Sequence, residues 1–331
     1  MKRTLANRYP FAAAVAGLRW IVNPVSEGGA KHVPRVKLLA GGPEIRARIA
    51  AMRNHPDGRR ILADRPDLGA RLGQMDRLAA LPKGTFGRVF HDYMDHPDGV
   101  PGYILASLVY KDGFLDSYDL SDEERYFIER NLWLHDMLHV LTGYGADLAG
   151  EGLLLHFDWA YQGGLSYRAA VLLPFGLAPR FFLRPSIGMR HWSELLRDAN
   201  RRGHRARSTC EPQHVYWEEL LERPLDEVRQ RLGIEAFTTD TSRWLEGSFL
   251  GRRAGSGFGV YEKQLAHAKV VRRIVEAGVP YRELMHASTD TVNRLAQMES
   301  EGADGPGLRA ALHARSSGKE GTSGSCTEPS R

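Results

Sequence analysis

Residues Ser121 to Glu151 read SDEERYFIERNLWLHDMLHVLTGYGADLAGE, and the fold turns on this stretch. Ser121 followed three residues later by Glu124 is a capping-box pattern, and the acids at Asp122, Glu123 and Glu124 suit the positive end of a helix dipole. The pattern predicts a helix from about Asp122 to Leu141, stopped by Thr142-Gly143-Tyr144-Gly145. A second helix is predicted from about Asp147 to Gln162, ahead of Gly163-Gly164. Leu132, Trp133, Leu134, Met137, Leu138, Val140 and Leu141 leave the first helix almost no polar side, and a helix that is apolar nearly all round is buried.

His135, Asp136 and His139 sit in that apolar helix. At roughly 100° per residue they share one arc, with His139 between the other two. Two imidazoles at i and i+4 can reach one metal ion. Glu151 is separated from His139 by eleven residues, across the Gly143–Gly145 turn. If the two helices pack antiparallel, its carboxylate returns to the same place. Burying these groups without partners costs on the order of 1–3 kcal/mol each, and a divalent cation satisfies them together. A hydrogen-bonded His/Asp cluster without metal is the competing reading. Two His and a carboxylate occur in catalytic zinc sites and in non-haem iron sites alike. Asp136 fits a ligand, a hydrogen-bond partner of a ligand, or a general base.

Helical patterns continue outward. Pro43 to Met52 has helical spacing, Pro56-Asp57-Gly58 reads as a turn, and Arg59 to Leu81 reads as one or two short helices with Pro66 at a start. Gly84-Thr85 opens another through His91 to Met94, ended by a turn at Pro97-Asp98-Gly99. Further helices are expected near 189–202, 214–232, 261–277, 279–287 and 289–300. No convincing β-alternation or internal repeat appears, so the chain reads as all-α. The expected organisation is a metal-binding helical core over 1–245, a helical extension over 246–301 opening on a Gly-rich linker from Gly247 to Gly259, and a tail over 302–331 too poor in apolar residues to fold.

The chain has 331 residues, 42% of them hydrophobic and 26% charged, with a net charge of +5. Those are ordinary globular values. Cys210 and Cys326 offer neither a disulfide framework nor a zinc spacing, which fits a reducing compartment. No apolar run is long enough to span a bilayer. The stretch Phe11 to Leu18 after Lys2 and Arg3 looks like a short signal-peptide core, but Arg19 interrupts it and no small-residue cleavage site follows. It is read as a helix of the mature protein. Arg180 to Arg207 carries eight Arg against Glu194 and Asp198, interleaved with Phe181, Phe182, Ile187, Met189 and Trp192. That combination suits either a membrane surface or a solvated face over a core. No nucleic-acid module accompanies the charge. The pairs His91/Asp95 and His156/Asp158 read as ordinary polar contacts, and Gly143-Tyr144-Gly145 lacks the preceding strand of a dinucleotide loop.

His135, Asp136, His139 and Glu151 stand at the spacing of the H-D-x-x-H motif, followed after eleven residues by Glu, that marks the coenzyme Q biosynthesis protein 4 family, which the chain resembles. Gly58-Arg59-Arg60-Ile61-Leu62 with Arg65-Pro66, Leu81-Pro82-Lys83-Gly84-Thr85-Phe86-Gly87, and Trp217-Glu218-Glu219 leading into Arg229 to Ile234 are similar too, in the same order. The resemblance covers roughly residues 10–235. It implies a mostly helical, peripheral-membrane protein holding a divalent metal on the four motif residues, usually described as zinc, with iron the alternative. It also implies oxidative decarboxylation at ring carbon C1 of a polyprenylated 4-hydroxybenzoate, with Asp136 the candidate for the phenolic proton. The alternative is a lipid-binding scaffold for the biosynthetic complex. Implied partners are the polyprenylated benzoquinone precursor, other ubiquinone-biosynthesis proteins and a membrane surface, with a homodimer left open. The implied location is cytoplasmic, on the inner face of the membrane. Beyond about residue 245 the chain departs from the family pattern.

Overall fold

The computed structural model describes residues 2–22, 32–94, 114–145, 147–163, 187–241, 244, 270–271, 273–284, 287 and 289–314. The protein is all-α, and among the described residues there is no β-strand, only isolated bridges between Arg3 and Tyr118 and between Thr85 and Pro224. The chain divides into two compact units, Met1–Ala268 and Lys269–Arg331. The linker expected at 247–259 lies outside the described residues.

In the first unit, α1 (Pro10–Val22) packs along α2 (His32–Asn54), which is kinked at Gly41 ahead of Pro43. Short helices α3 (Pro56–Asp64), α4 (Leu68–Gly73) and α5 (Met75–Ala79) follow, then α6 (Phe86–Met94). Next come α7 (Asp122–Leu132), α8 (Leu134–Thr142) and α9 (Leu148–Gln162). Helix α10 (Met189–Thr209) lies against α9, and α11 (Trp217–Leu220) and α12 (Leu225–Leu232) finish the described helices of this unit. Ile49 and Met52 of α2, Ile61 and Leu62 of α3, and Tyr126 and Phe127 of α7 form one buried cluster.

The α9–α10 contact is close because α10 presents small residues at Ala199, Gly203 and Ala206, all buried. A Cβ on Gly203 would lie 2.2 Å from the Phe157 carbonyl oxygen. Trp192 and Leu196 of the same helix are buried too. Trp192 belongs to the core, while Arg190, Arg201, Arg205 and Arg207 lie outside and pair with Glu194, Asp198, Glu235 and Glu211. Phe181 and Phe182 lie outside the described residues.

Several boundaries differ from expectation. The helix expected over Asp122–Leu141 is two, interrupted at Trp133, whose backbone keeps helical angles (φ −73°, ψ −20°). Its indole seats on Gly69, where an added Cβ would approach the ring to 2.6 Å. Pro56-Asp57-Gly58 is no turn but the start of α3: the His55 ring accepts from the Asp57 N–H, Pro56 needs no N–H there, and Gly58 lies on the Met52 backbone. Pro66 precedes α4 by two residues, because Asp67 takes the capping position instead. The helix expected over 214–232 breaks at Pro224, and the carbonyls of Leu221 and Arg223 accept from Gly87 and Phe86 at the start of α6.

In the second unit, α13 (Tyr281–Leu284), α14 (Thr289–Ser300) and α15 (Gly305–His313) are helical. Residues 302–314, expected to belong to the tail, therefore include a helix. Asp304 caps α15 by accepting from the Gly307 N–H, Pro306 sits in its first turn, and Leu308 is buried. Residues 315–331 lie outside the described residues.

Candidate metal centre

Helices α8 and α9 are joined by a turn that fixes their mutual approach. Ser121 and Glu124 cap α7 reciprocally, as the sequence indicates. Gly143 ends α8 in the left-handed region (φ 76°), its N–H bonded to the His139 carbonyl. The Arg229 guanidinium donates to the Val140 and Leu141 carbonyls at 3.1 and 3.0 Å, covering acceptors that α8 leaves open. Asp147 caps α9 by accepting from the Ala149 and Gly150 N–H groups. Gly150 packs onto Gly145 so closely that a Cβ would meet the Gly145 carbonyl oxygen at 2.1 Å. This closeness brings Glu151, in the first turn of α9, back beside α8.

The four sequence-predicted residues come together. His135 Nε2 lies 3.2 Å from one Glu151 carboxylate oxygen and His139 Nε2 lies 3.3 Å from the other. The two rings stand perpendicular with centroids 5.0 Å apart. One ligand atom from each of His135, Asp136 and His139 falls within 4.8 Å of the others. Asp136 Oδ2 is buried with no hydrogen-bond partner. His139 is buried, while the Glu151 side chain keeps 34% of its surface exposed, so the cluster has one open side.

The ionisation states follow from this packing. Burial raises the Asp136 carboxyl to about 6, against the pull of the two imidazoles. Burial alone would also raise Glu151, but His135 and His139 outweigh it and hold the carboxyl well below the usual range. For His135, burial disfavours the imidazolium, yet Glu151 wins and the net shift is upward.

His139 Nδ1 lies 2.9 Å from the Tyr144 carbonyl oxygen. A carbonyl only accepts, so Nδ1 carries the hydrogen and the neutral ring presents a lone pair at Nε2. That lone pair faces a carboxylate oxygen, an arrangement that repels unless a proton or a cation lies between. The orphaned Asp136 oxygen adds another unsatisfied acceptor. The donor set of His135, Asp136 and His139 could therefore hold a divalent cation, and Glu151 touches both of its imidazoles.

Sequence reasoning missed some neighbours. Tyr93 stacks on His139 at 5.7 Å and 23°, and burial raises its phenol far above the ordinary value. The Tyr144 carbonyl carries no residue-type signal, and Arg229 comes from a helix remote in sequence. The lesser candidates are elsewhere engaged: His91 meets Asp92 at 3.0 Å, with Asp95 outside the described residues, and His156 donates to the Gly152 carbonyl at 2.9 Å.

Residues 11–238 match the family model described as coenzyme Q (ubiquinone) biosynthesis protein Coq4. A mitochondrial ubiquinone biosynthesis protein coq4 of Botryotinia fuckeliana is 35% identical over 190 residues, covering 56% of this chain and 60% of that protein. Its counterpart from Yarrowia lipolytica is 31% identical over 185 residues, covering 56% of this chain and 64% of that protein. The chain thus spans about three fifths of the length of the curated relatives it matches. A crystal structure from Nostoc punctiforme, provisionally described as a ubiquinone biosynthesis protein, aligns over 69% of this chain and 99% of that one, with 18% identity and a TM-score of 0.49.

Proposed function

The chain belongs to the coenzyme Q (ubiquinone) biosynthesis protein Coq4 family, and on that premise we propose that it acts in ubiquinone biosynthesis as a metal-dependent enzyme. The reaction is oxidative decarboxylation at ring carbon C1 of a polyprenylated 4-hydroxybenzoate. The ring loses its carboxyl as CO2 and gains a hydroxyl, a two-electron oxidation that balances with dioxygen as the electron acceptor: the ring acid, water and dioxygen give the hydroxylated ring, CO2 and hydrogen peroxide. One observation carries the reading: two imidazole Nε2 atoms converge on the Glu151 carboxylate beside an Asp136 oxygen that has no partner.

His135, Asp136, His139 and Glu151 are the residues that would hold the ion, zinc by family resemblance and iron as the alternative. A divalent ion bound there supplies Lewis acidity toward an incoming carboxylate. His139 is oriented by the Tyr144 carbonyl, and the buried wall of α8 excludes water behind the cluster. Asp136 either completes the ligand set or, standing beside it, takes and returns the phenolic proton. The open side at Glu151 is where the aromatic ring enters.

No helix among the described residues is long and apolar enough to cross a membrane. Phe11 and Leu18 are 83% and 60% exposed, and at a spacing of seven they share one face of α1. This supports peripheral attachment to a lipid surface, and it is also what a lipid-binding scaffold with a structural metal would need; the inner face of the membrane is carried over from the family resemblance.

The two readings separate in one experiment. Purified, metal-loaded protein is given a prenylated 4-hydroxybenzoate with carbon-13 in its carboxyl under oxygen. Labelled CO2 is expected, and it should disappear in His139→Ala. No labelled CO2 from the loaded wild type leaves the scaffold reading in place.

A further inference from the structure

Helix α6 delivers one more side chain to the centre. Phe86, Phe90 and Met94 bury one face of this helix. Its start is fixed by the Phe86 and Gly87 N–H groups, which donate to the Arg223 and Leu221 carbonyls at 2.8 and 2.7 Å. Tyr93, beside Met94, is half-buried, and its ring lies 5.7 Å from that of His139 at 23°. The charges that bear on its hydroxyl are those of Asp136, Glu151 and Asp147. Asp147 caps α9 and Glu151 follows in its first turn, so the hydroxyl faces the end of α9 where the cluster keeps its exposed side. Among the described residues the Tyr93 hydroxyl has no hydrogen-bond partner, and neither has Asp136 Oδ2. One cluster thus holds an unpaired donor and an unpaired acceptor. A cation answers the carboxylate oxygen, but the hydroxyl still needs an acceptor.

We infer that Tyr93 donates its hydroxyl hydrogen to the carboxylate of the aromatic acid bound at His135, Asp136, His139 and Glu151. The inference rests on the aromatic-acid reading above. A carboxylate has about four lone-pair sites on its two oxygens, so an ion on one side leaves others for an O–H donor. Hydrogen bonds to an ionised acceptor are roughly twice as strong as neutral ones, so this donor adds binding and fixes the rotation of the carboxylate. The ring that stacks on His139 is the ring that aims the hydroxyl, which ties the ligand's seat to the metal's. Tyr93 therefore selects for a carboxyl group on the ring.

The test is calorimetric binding of a short-chain 3-prenyl-4-hydroxybenzoate, and of the matching 2-prenylphenol that lacks the carboxyl, to zinc-loaded full-length protein. Tyr93→Phe keeps the stacked ring. It should hold zinc as the wild type does, bind the acid at least tenfold more weakly and bind the phenol equally. Replacing Tyr93 by 4-aminophenylalanine, whose ring still donates, should keep the acid's affinity, whereas 4-methoxyphenylalanine should lose it. That pair decides the matter if Tyr93→Phe fails to fold. A folded, zinc-loaded Tyr93→Phe that binds the acid like the wild type overturns the assignment while leaving the aromatic-acid reading intact. So does a variant that loses zinc affinity but keeps the preference for acid over phenol, since the hydroxyl would then serve Asp136 instead. A wild type that binds no such acid removes that reading and this one together.

Discussion

The Nδ1–H of His139 donates to the carbonyl of Tyr144 at 2.9 Å, so a backbone group five residues away decides which nitrogen of the ring faces Glu151. That carbonyl follows Gly143, whose φ of 76° disfavours a side chain and whose Cβ position lies 2.4 Å from the Phe237 carbonyl oxygen. Gly143→Ala should therefore tilt the turn and misorient the ring without removing any ligand. Groups that orient metal-bound histidines typically matter about 10–100-fold in affinity. Chelator competition on purified protein should show a loss in that range. Wild-type affinity in this variant would mean that the turn does not orient the centre.

The buried pair Arg130–Glu218 ties α7 to α11. Arg130 donates to both Glu218 oxygens and also to the carbonyls of Pro66 and Val215, and both side chains are less than a tenth exposed. Arg130→Met strands a buried carboxylate, which costs roughly 3–5 kcal/mol. Urea unfolding should show that loss. The double variant Arg130→Met/Glu218→Leu should recover at least half of it, because no uncompensated charge remains.

Phe11 and Leu18 are exposed, so replacing both by Glu removes nothing from the core. Burying each such side chain in lipid contributes about 1.5–3 kcal/mol. Co-sedimentation with anionic vesicles should fall at least tenfold in the double variant, with an unchanged melting temperature. Unaltered sedimentation would take α1 out of the attachment surface.

What the sequence revealed, and what it hid, follows from the range of each interaction. Ser121 and Glu124 act within one helical turn, and so do His135 and His139, so spacing alone exposes them. Glu151 was legible because glycines at 143 and 145 force the chain back on itself. Trp133 interrupts a helix that its own neighbours would continue, and the residue its indole packs on, Gly69, is far away in sequence. Lys37 meets Asp158 across 121 positions, which no local pattern records. The α15 helix is a different kind of omission. Asp304 and Pro306 are start signals, but they were outweighed by the Gly- and Ser-rich composition beyond them.

His156, five residues along α9 from Glu151, gives the fold an acid-sensitive point. Burial lowers its pKa from 6.5 to about 4, although its bond to the Gly152 carbonyl pulls the other way. Between those values the unfolded chain binds a proton that the folded chain refuses. The associated stability is thus present above about 6.5 and is lost as pH falls toward 4. The full difference corresponds to about 3 kcal/mol. Other groups titrate in the same window, so the comparison that isolates His156 is with His156→Gln, whose amide can still donate but cannot ionise. Unfolding free energies measured in urea at pH 7 and pH 4.5 should fall by about 2–3 kcal/mol more in the wild type than in the variant. Equal losses would mean that the imidazole takes up its proton without opening the α9–α10 seam, and that burial at this position is too shallow to matter.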